Sequence, residues 1–376
     1  MPALVEQTIA LVAEGSRQIS ICNSCRYCEG YCAVFPAMER RLEFGRADLE
    51  YLANLCHNCG ECYYACQYSP PHEFAINVPQ ILGEIRSQSY RRHAWPAMLA
   101  EQFDRNGTFV PLALAFGFSL LLFLSLTTTG DEMFQARAGG DFYAVLPHGV
   151  MAWTFGVVSL FVAWALWKGF AAFWRESGEQ LAEFTRPFAL ASALRDAATL
   201  KYLDGDSGVG CTYPGEQPSQ ARRWFHHLTF YGFLACFAAT VVGTIYHYGF
   251  GWRAPYDCSS LPVVLGTVGG IGLFIGPLGL WWLKRKRDAA TATPGDSGMD
   301  VAFIVLLLLT SATGLALLAW RETAWMGTLL VVHLGSVLAL FVSLPYGKFV
   351  HGIYRLAALV KYALERKRPG LNLGNE

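Results

Sequence analysis

The stretch Val301-Ala-Phe-Ile-Val-Leu-Leu-Leu-Leu-Thr310-Ser-Ala-Thr-Gly-Leu-Ala-Leu-Leu-Ala-Trp320 contains no Asp, Glu, Lys or Arg. A helix of about 20 apolar residues crosses a ~30 Å hydrocarbon core, and a soluble helix seldom stays uncharged on every face for that long. Five more stretches share this character: 106–130, 142–167, 224–252, 258–283 and 323–347. Six transmembrane helices are therefore expected, and the fold class is all-α. The 258–283 stretch is the weakest helix by composition, with Gly266, Gly269, Gly270, Gly272, Gly276, Gly279 and Pro277. Small residues are nevertheless common where membrane helices approach closely. Over the whole 376 residues, 53% are hydrophobic and 15% charged, against about 25% charged in a soluble domain. The 29 basic and 29 acidic residues cancel, whereas a nucleic-acid protein would show a basic excess. A wholly soluble enzyme, a disordered chain and a collagen-like fibre are excluded.

Residues 1–105 differ from the rest: they are polar and hold eight of the eleven cysteines. Met1 to Ser20 carries Glu6, Glu14 and Arg17 without an apolar core, so no signal peptide is expected there. The expected organisation is a head, 1–105; a membrane domain, 106–354, with a loop at 171–223; and a C-terminal tail, 355–376. One set of connectors holds Lys168, Arg175, Arg222, Arg223, the run Lys284–Arg287 and Arg366–Arg368; the other holds three Arg, no Lys and five acids. The positive-inside rule makes the first set cytoplasmic. An even number of spans then puts both termini and the head in the cytoplasm of a multi-pass membrane protein. Residues 86–95, with three Arg, His93 and Trp95, read as an interfacial anchor. Residues 179–204 read as an interfacial helix with Leu190, Leu194, Ala197 and Leu200 on one side, interrupted at Pro187.

In the head, Cys22-Asn-Ser-Cys25-Arg-Tyr-Cys28-Glu-Gly-Tyr-Cys32 and Cys56-His-Asn-Cys59-Gly-Glu-Cys62-Tyr-Tyr-Ala-Cys66 share the spacing C-x2-C-x2-C-x3-C. Zinc sites use separated C-x2-C pairs rather than one run of four, and disulfides conflict with a reducing compartment. Two [4Fe–4S] clusters remain. In two-cluster ferredoxins the fourth cysteine ligates the other cluster. Cluster one is thus assigned Cys22, Cys25, Cys28 and Cys66, and cluster two Cys56, Cys59, Cys62 and Cys32. Ala33 and Gln67 stand where Pro normally follows the fourth Cys, and Glu39–Phe44 reads as helix. A helical dicluster ferredoxin-like domain is expected.

Ionisable residues inside a membrane mark function. The spans and their edges hold His148, His226, His227, His247, His333 and His351. On one continuous helix, His333 and His351 are five turns apart, on one face and ~27 Å along the axis. His226 and His247 are about 60° apart around the third span, and His227 and His247 about 160°. The expected haem ligands are an outer pair, His247 with His333, and an inner pair, His226 with His351. His148 and His227 are alternates, and His148 alternatively serves a quinone site. Bis-histidine ligation in a helical bundle suits b-type haem; histidines at helix ends also bond water and headgroups. Arg222, Arg223, Tyr346 and Lys348 are candidates to frame a quinone pocket. Cys211 reads as structural or as an interface residue, and a fifth ligand is the alternative.

These motifs, with Gly210-Cys211-Thr-Tyr-Pro, Arg222-Arg223-Trp-Phe-His226-His227 and Leu344-Pro-Tyr-Gly-Lys-Phe-Val-His351-Gly, resemble the tricarballylate/citrate utilization protein B family over most of the chain. More distantly, the chain is similar to the membrane cytochrome b subunits of nitrate reductases and heterodisulfide reductases. The resemblance implies a cytochrome b-like bundle in the bacterial inner (cytoplasmic) membrane. It also implies electron transfer from the reduced flavin of a soluble partner, a tricarballylate dehydrogenase, to the membrane quinone pool; the nitrate-reductase likeness implies two haems. The chain shows no flavin or nicotinamide fingerprint of its own. A subunit of a heterodisulfide-type or other respiratory complex is the alternative, and a redox sensor or anchor is a reading from another class. A transporter is disfavoured because no acid falls within the six stretches.

Overall fold

The computed structural model describes residues 2–205, 208–293 and 296–368. The head contains α1 (Pro2–Cys25), α2 (Val34–Met38), α3 (Arg46–Leu55), α4 (Glu61–Tyr64) and α5 (Val78–Arg92). Five membrane helices and two shorter ones follow: α6 (Asn106–Thr129), α7 (His148–Glu176), α8 (Leu181–Phe184), α9 (Pro187–Ala198), α10 (Ala221–Phe250), α11 (Leu261–Arg285) and α12 (Asp296–Ala319), with a pair of two-residue strands, β1 (Cys211–Thr212) and β2 (Pro218–Ser219), ahead of α10. The sixth membrane helix is α13 (Met326–Ser343), and α14 (Val350–Glu365) ends the described chain. Six helices are long and apolar enough to cross a membrane, and each overlaps one of the six uncharged stretches. The fold is all-α, with a small helical head on a membrane bundle. The residues beyond Arg368, and Asp206 and Ser207 in the loop before Cys211, lie outside the described residues.

The glycine-rich stretch forms a regular helix because its glycines face α10. A Cβ on Gly276 would sit 2.5 Å from Thr229 Oγ1, one on Gly232 2.9 Å from the Gly269 carbonyl, and one on Gly272 3.0 Å from the Leu228 carbonyl. The two backbones touch where side chains would hold them apart. On its other sides α10 is open: Gly232 is its one buried residue.

Several sequence expectations change. The last span does not run unbroken from His333 to His351: α13 stops at Ser343, a short 3₁₀ turn covers Leu344–Tyr346, and α14 begins at Val350. Pro345 lacks the N–H that would continue the helix. The five-turn geometry for that pair therefore does not apply. Residues 355–365 are a packed helix rather than a free tail, with Ala357, Ala358, Leu359 and Val360 buried against the head and α9. Their end is pinned where Arg41 Nη2 meets Glu365 Oε1 at 2.5 Å and the Tyr51 hydroxyl donates to Glu365 Oε2 at 2.9 Å.

Glu39–Phe44 is turn, and the helix starts after Gly45, because Arg41 turns inward to the Ala37 carbonyl and to Asp48. The 86–95 cations point into protein: Arg86 is buried, Arg92 pairs with Glu50 and Glu176, and His93 is enclosed. On α9 the buried side is Ala189 and Ala193, with Leu194 exposed. The fifth span is longer at its inner end than the uncharged stretch, so α12 includes Asp300, which accepts from Lys284 Nζ at 2.5 Å and pairs with Lys348 Nζ at 2.7 Å.

The head sits at the end of the bundle that carries the basic connectors. The Tyr64 hydroxyl donates to Asp288, Asn58 Nδ2 to Thr293 Oγ1, and Arg222 to the His57 carbonyl.

Candidate functional site

The two cysteine runs interleave. One cavity is lined by Cys22, Cys25, Cys28 and Cys66. A second is lined by Cys32, Cys56 and Cys59 together with Cys62, which also borders the first. Phe35 and Val78 stand between them and line both. The fourth cysteine of each run thus lies with the first three of the other. Local backbone explains the turns. Asn58 adopts a left-handed conformation, φ 53°, that Asn tolerates, and its N–H points at Cys56 Sγ at 3.3 Å. Gly60, at φ 90°, follows Cys59 where a Cβ would lie 2.8 Å from the Thr212 carbonyl oxygen.

The donor sets suit metal. All eleven cysteines are free. Burial and the neighbouring Cys66, Cys28 and Cys25 push the Cys22 thiol up to about 12. Burial and Cys66 do the same to Cys28, and burial and Cys211 to Cys59, each to about 12. Thiols packed this way hold their protons until a cation replaces them. Four soft sulfur donors around each cavity fit an iron–sulfur cluster. The first cavity reaches the surface through Cys25, which is exposed; the second holds the buried Cys56, with His57 and Tyr202 in its wall.

Beyond the second cavity lie two histidines. The rings of His226 and His351 have centroids 6.1 Å apart at 80°. A metal–imidazole bond of roughly 2 Å on each side, with roughly 1 Å more to each ring centre, puts coaxial rings roughly 6 Å apart. His351 Nδ1–H donates to the Lys348 carbonyl at 2.6 Å, which leaves Nε2 with its lone pair. Burial, then the Arg355 and Lys348 charges, hold His351 well below the usual histidine range and therefore neutral. His226 Nδ1 is buried with no hydrogen-bond partner. This pair fits axial ligation of a haem iron. His227 points away, its ring beside Trp224 and Tyr231.

The outer histidines are arranged differently. His247 stacks on His148 at 3.9 Å and 10°, with Tyr143 and Tyr248 around them. That is too close and too parallel for an iron on a common axis. Among the described residues no ring contact joins His333 to His247; His333 Nδ1 instead meets Thr313 Oγ1 at 3.1 Å, its ring lying over Gly314.

The candidate quinone residues are not gathered into a pocket. The Tyr346 hydroxyl donates to the Trp95 carbonyl at 3.0 Å, Arg223 pairs with Asp204, Lys348 pairs with Asp300, and Arg222 grips the His57 and Asn58 carbonyls. Cys211 is fully buried beside Cys59, Leu203 and Tyr213. Sequence reasoning missed Arg86 and Arg355. Arg355 has a signal in retrospect, since it falls one turn after His351 on a helix with one apolar face.

The citrate utilization protein B family matches residues 104–372, and that protein's Fer4-like domain matches residues 15–92. The chain belongs to the citrate utilization protein B family. Citrate utilization protein B of Escherichia coli is 53% identical over 356 residues, covering 95% of this chain and 93% of that protein. No solved structure matches the chain. This chain thus joins a Fer4-like head to a domain with six helices long and apolar enough to cross a membrane.

Proposed function

We propose that the protein carries electrons from the reduced flavin of a soluble dehydrogenase, of the tricarballylate dehydrogenase type, to the quinone pool during citrate or tricarballylate use. The head and the basic connectors face the cytoplasm, where that partner docks. Cys22, Cys25, Cys28 and Cys66 hold one [4Fe–4S] cluster, Cys32, Cys56, Cys59 and Cys62 the other, and His226 with His351 one b-type haem. When bound, these groups supply one-electron transfer.

The observation that carries the reading is the order of the three donor sets. The four-thiol cavity that includes the exposed Cys25 abuts the one that includes the buried Cys56 through Phe35 and Val78, and His57 in the wall of the second is held by Arg222 from the helix that carries His226. The set with the exposed thiol is the entrance, and Phe35, Val78 and Tyr202 line the second. The Lys348 carbonyl fixes the His351 tautomer, and the Asp300 carboxylate holds Lys348 in place. The outer histidines are assigned no haem, because their rings are not coaxial.

Anaerobically purified full-length protein tests this. The expected result is about eight acid-labile sulfides and one dithionite-reducible haem band per chain. Protein with neither overturns the proposal.

A further inference from the structure

The loop that opens the second cysteine set is gripped by arginines from the two helices that carry the inner histidines. Arg222, on α10, donates through Nη2 to the His57 carbonyl at 2.8 Å and through Nη1 to the Asn58 carbonyl at 3.0 Å. Arg355, on α14, donates through Nη2 to the Cys56 carbonyl at 2.6 Å and through Nε to the Asn54 carbonyl at 3.2 Å. Arg222 precedes His226 by one helical turn, and Arg355 follows His351 by one turn. Each histidine therefore shares a rigid helix with a two-pronged clamp on the Cys56–Asn58 loop. Arg222 is braced over the Tyr213 ring at 4.4 Å. Both arginines are half-buried, and among the described residues no carboxylate pairs with either.

Unpaired cations partly removed from water are costly, and carbonyl dipoles alone compensate them poorly. The nearby group that would balance them is a thiolate-ligated cluster, whose reduced form carries one more negative charge. Planar guanidinium forks also fix geometry in a way that an ammonium cannot.

We propose that Arg222 and Arg355 are positioning residues for electron transfer: they lock the Cys56 loop onto the His226–His351 pair and favour the reduced state of the cluster held there. The inference rests on the relay reading above. When a cluster takes up an electron, no bond to either arginine forms or breaks; the added charge is met by their fixed cations.

The test uses detergent-purified full-length protein carrying Arg355→Gln, Arg222→Gln, Arg355→Lys or Arg222→Lys. Sulfide content, the midpoint potential of each cluster by spectroscopic titration, and the rate of haem reduction after rapid cluster reduction are measured. Each Gln variant is expected to lower one cluster potential by an amount equal to about a tenfold change in equilibrium constant, ~59 mV for one electron. Each Lys variant is expected to keep that potential yet slow haem reduction about tenfold, because a flexible ammonium lacks the planar fork that fixes two carbonyls in one geometry. Gln variants with full sulfide and native potentials overturn the proposal, as do Lys variants with the native rate. If the Gln variants fail to assemble, the Lys variants decide by that rate. Wild-type protein lacking sulfide or haem defeats the relay reading itself; a loaded wild type with indifferent variants defeats only the clamp.

Discussion

Replacing Cys32 by Ser asks which cluster the fourth cysteine of the first run serves. If each run held its own cluster, Cys32 would belong with Cys22, Cys25 and Cys28. The structure places it in the wall of the other cavity, with Cys56, Cys59 and Cys62. A four-iron cluster deprived of one of its four thiolates loses the ligand that completes its set, so Cys32→Ser is expected to lose one whole cluster. Labile sulfide then falls from about eight to about four per chain. Double variants give opposite answers under the two pairings. Cys32→Ser with Cys56→Ser should lose no more than Cys32→Ser alone, since both remove the same cluster. Cys32→Ser with Cys22→Ser should lose nearly all eight. The assay is acid-labile sulfide on anaerobic protein, which does not count haem iron, with low-temperature spectra of the reduced protein to identify the surviving centre. The exchanged pairing is refuted if the first double variant loses everything and the second keeps about four.

His351→Ala should abolish the haem band while His227→Ala retains it, as read by visible spectra of the reduced protein. Asp300→Asn leaves Lys284 and Lys348 without their shared carboxylate, which is 20% exposed; with that exposure discounted, thermal unfolding should show roughly 1–3 kcal/mol lost, with weaker haem retention. Gly276→Leu should cost about 1–3 kcal/mol in the same assay, since its Cβ alone falls 2.6 Å from the Thr229 amide nitrogen. Cys258 is exposed in the loop at the end of the bundle away from the head. A membrane-impermeant thiol reagent should therefore label it in intact cells, and labelling only after lysis would invert the orientation.

The membrane helices were legible because an uncharged 20-residue stretch has few other destinies, and the glycine stripe on α11 is explained by the partner it faces. The iron–sulfur character of the head was legible in its two repeated cysteine runs. The reading failed where one residue outweighed a pattern. Pro345 divides what looked like one helix, so His333 and His351 share no face. The inner histidine pair nevertheless forms, because the break turns α14 beneath the bundle and brings His351 to His226. The outer pair depended on that lost continuity, and His148 stands where His333 was expected. The arginines that hold the Cys56 loop were invisible to motif reading, for they bind backbone carbonyls far away in sequence. Their partners become apparent only once the head is docked on the membrane helices.

The proposed relay is tested most directly by following quinone reduction in membranes supplied with the proposed partner, a flavin-dependent tricarballylate dehydrogenase, and its substrate under anaerobic conditions. Membranes holding the wild-type chain should reduce quinone, and those holding Cys32→Ser or His351→Ala, at equal protein level, should do so at least tenfold more slowly. Undiminished quinone reduction in both variants would show that electrons bypass the thiol cavities and the histidine pair.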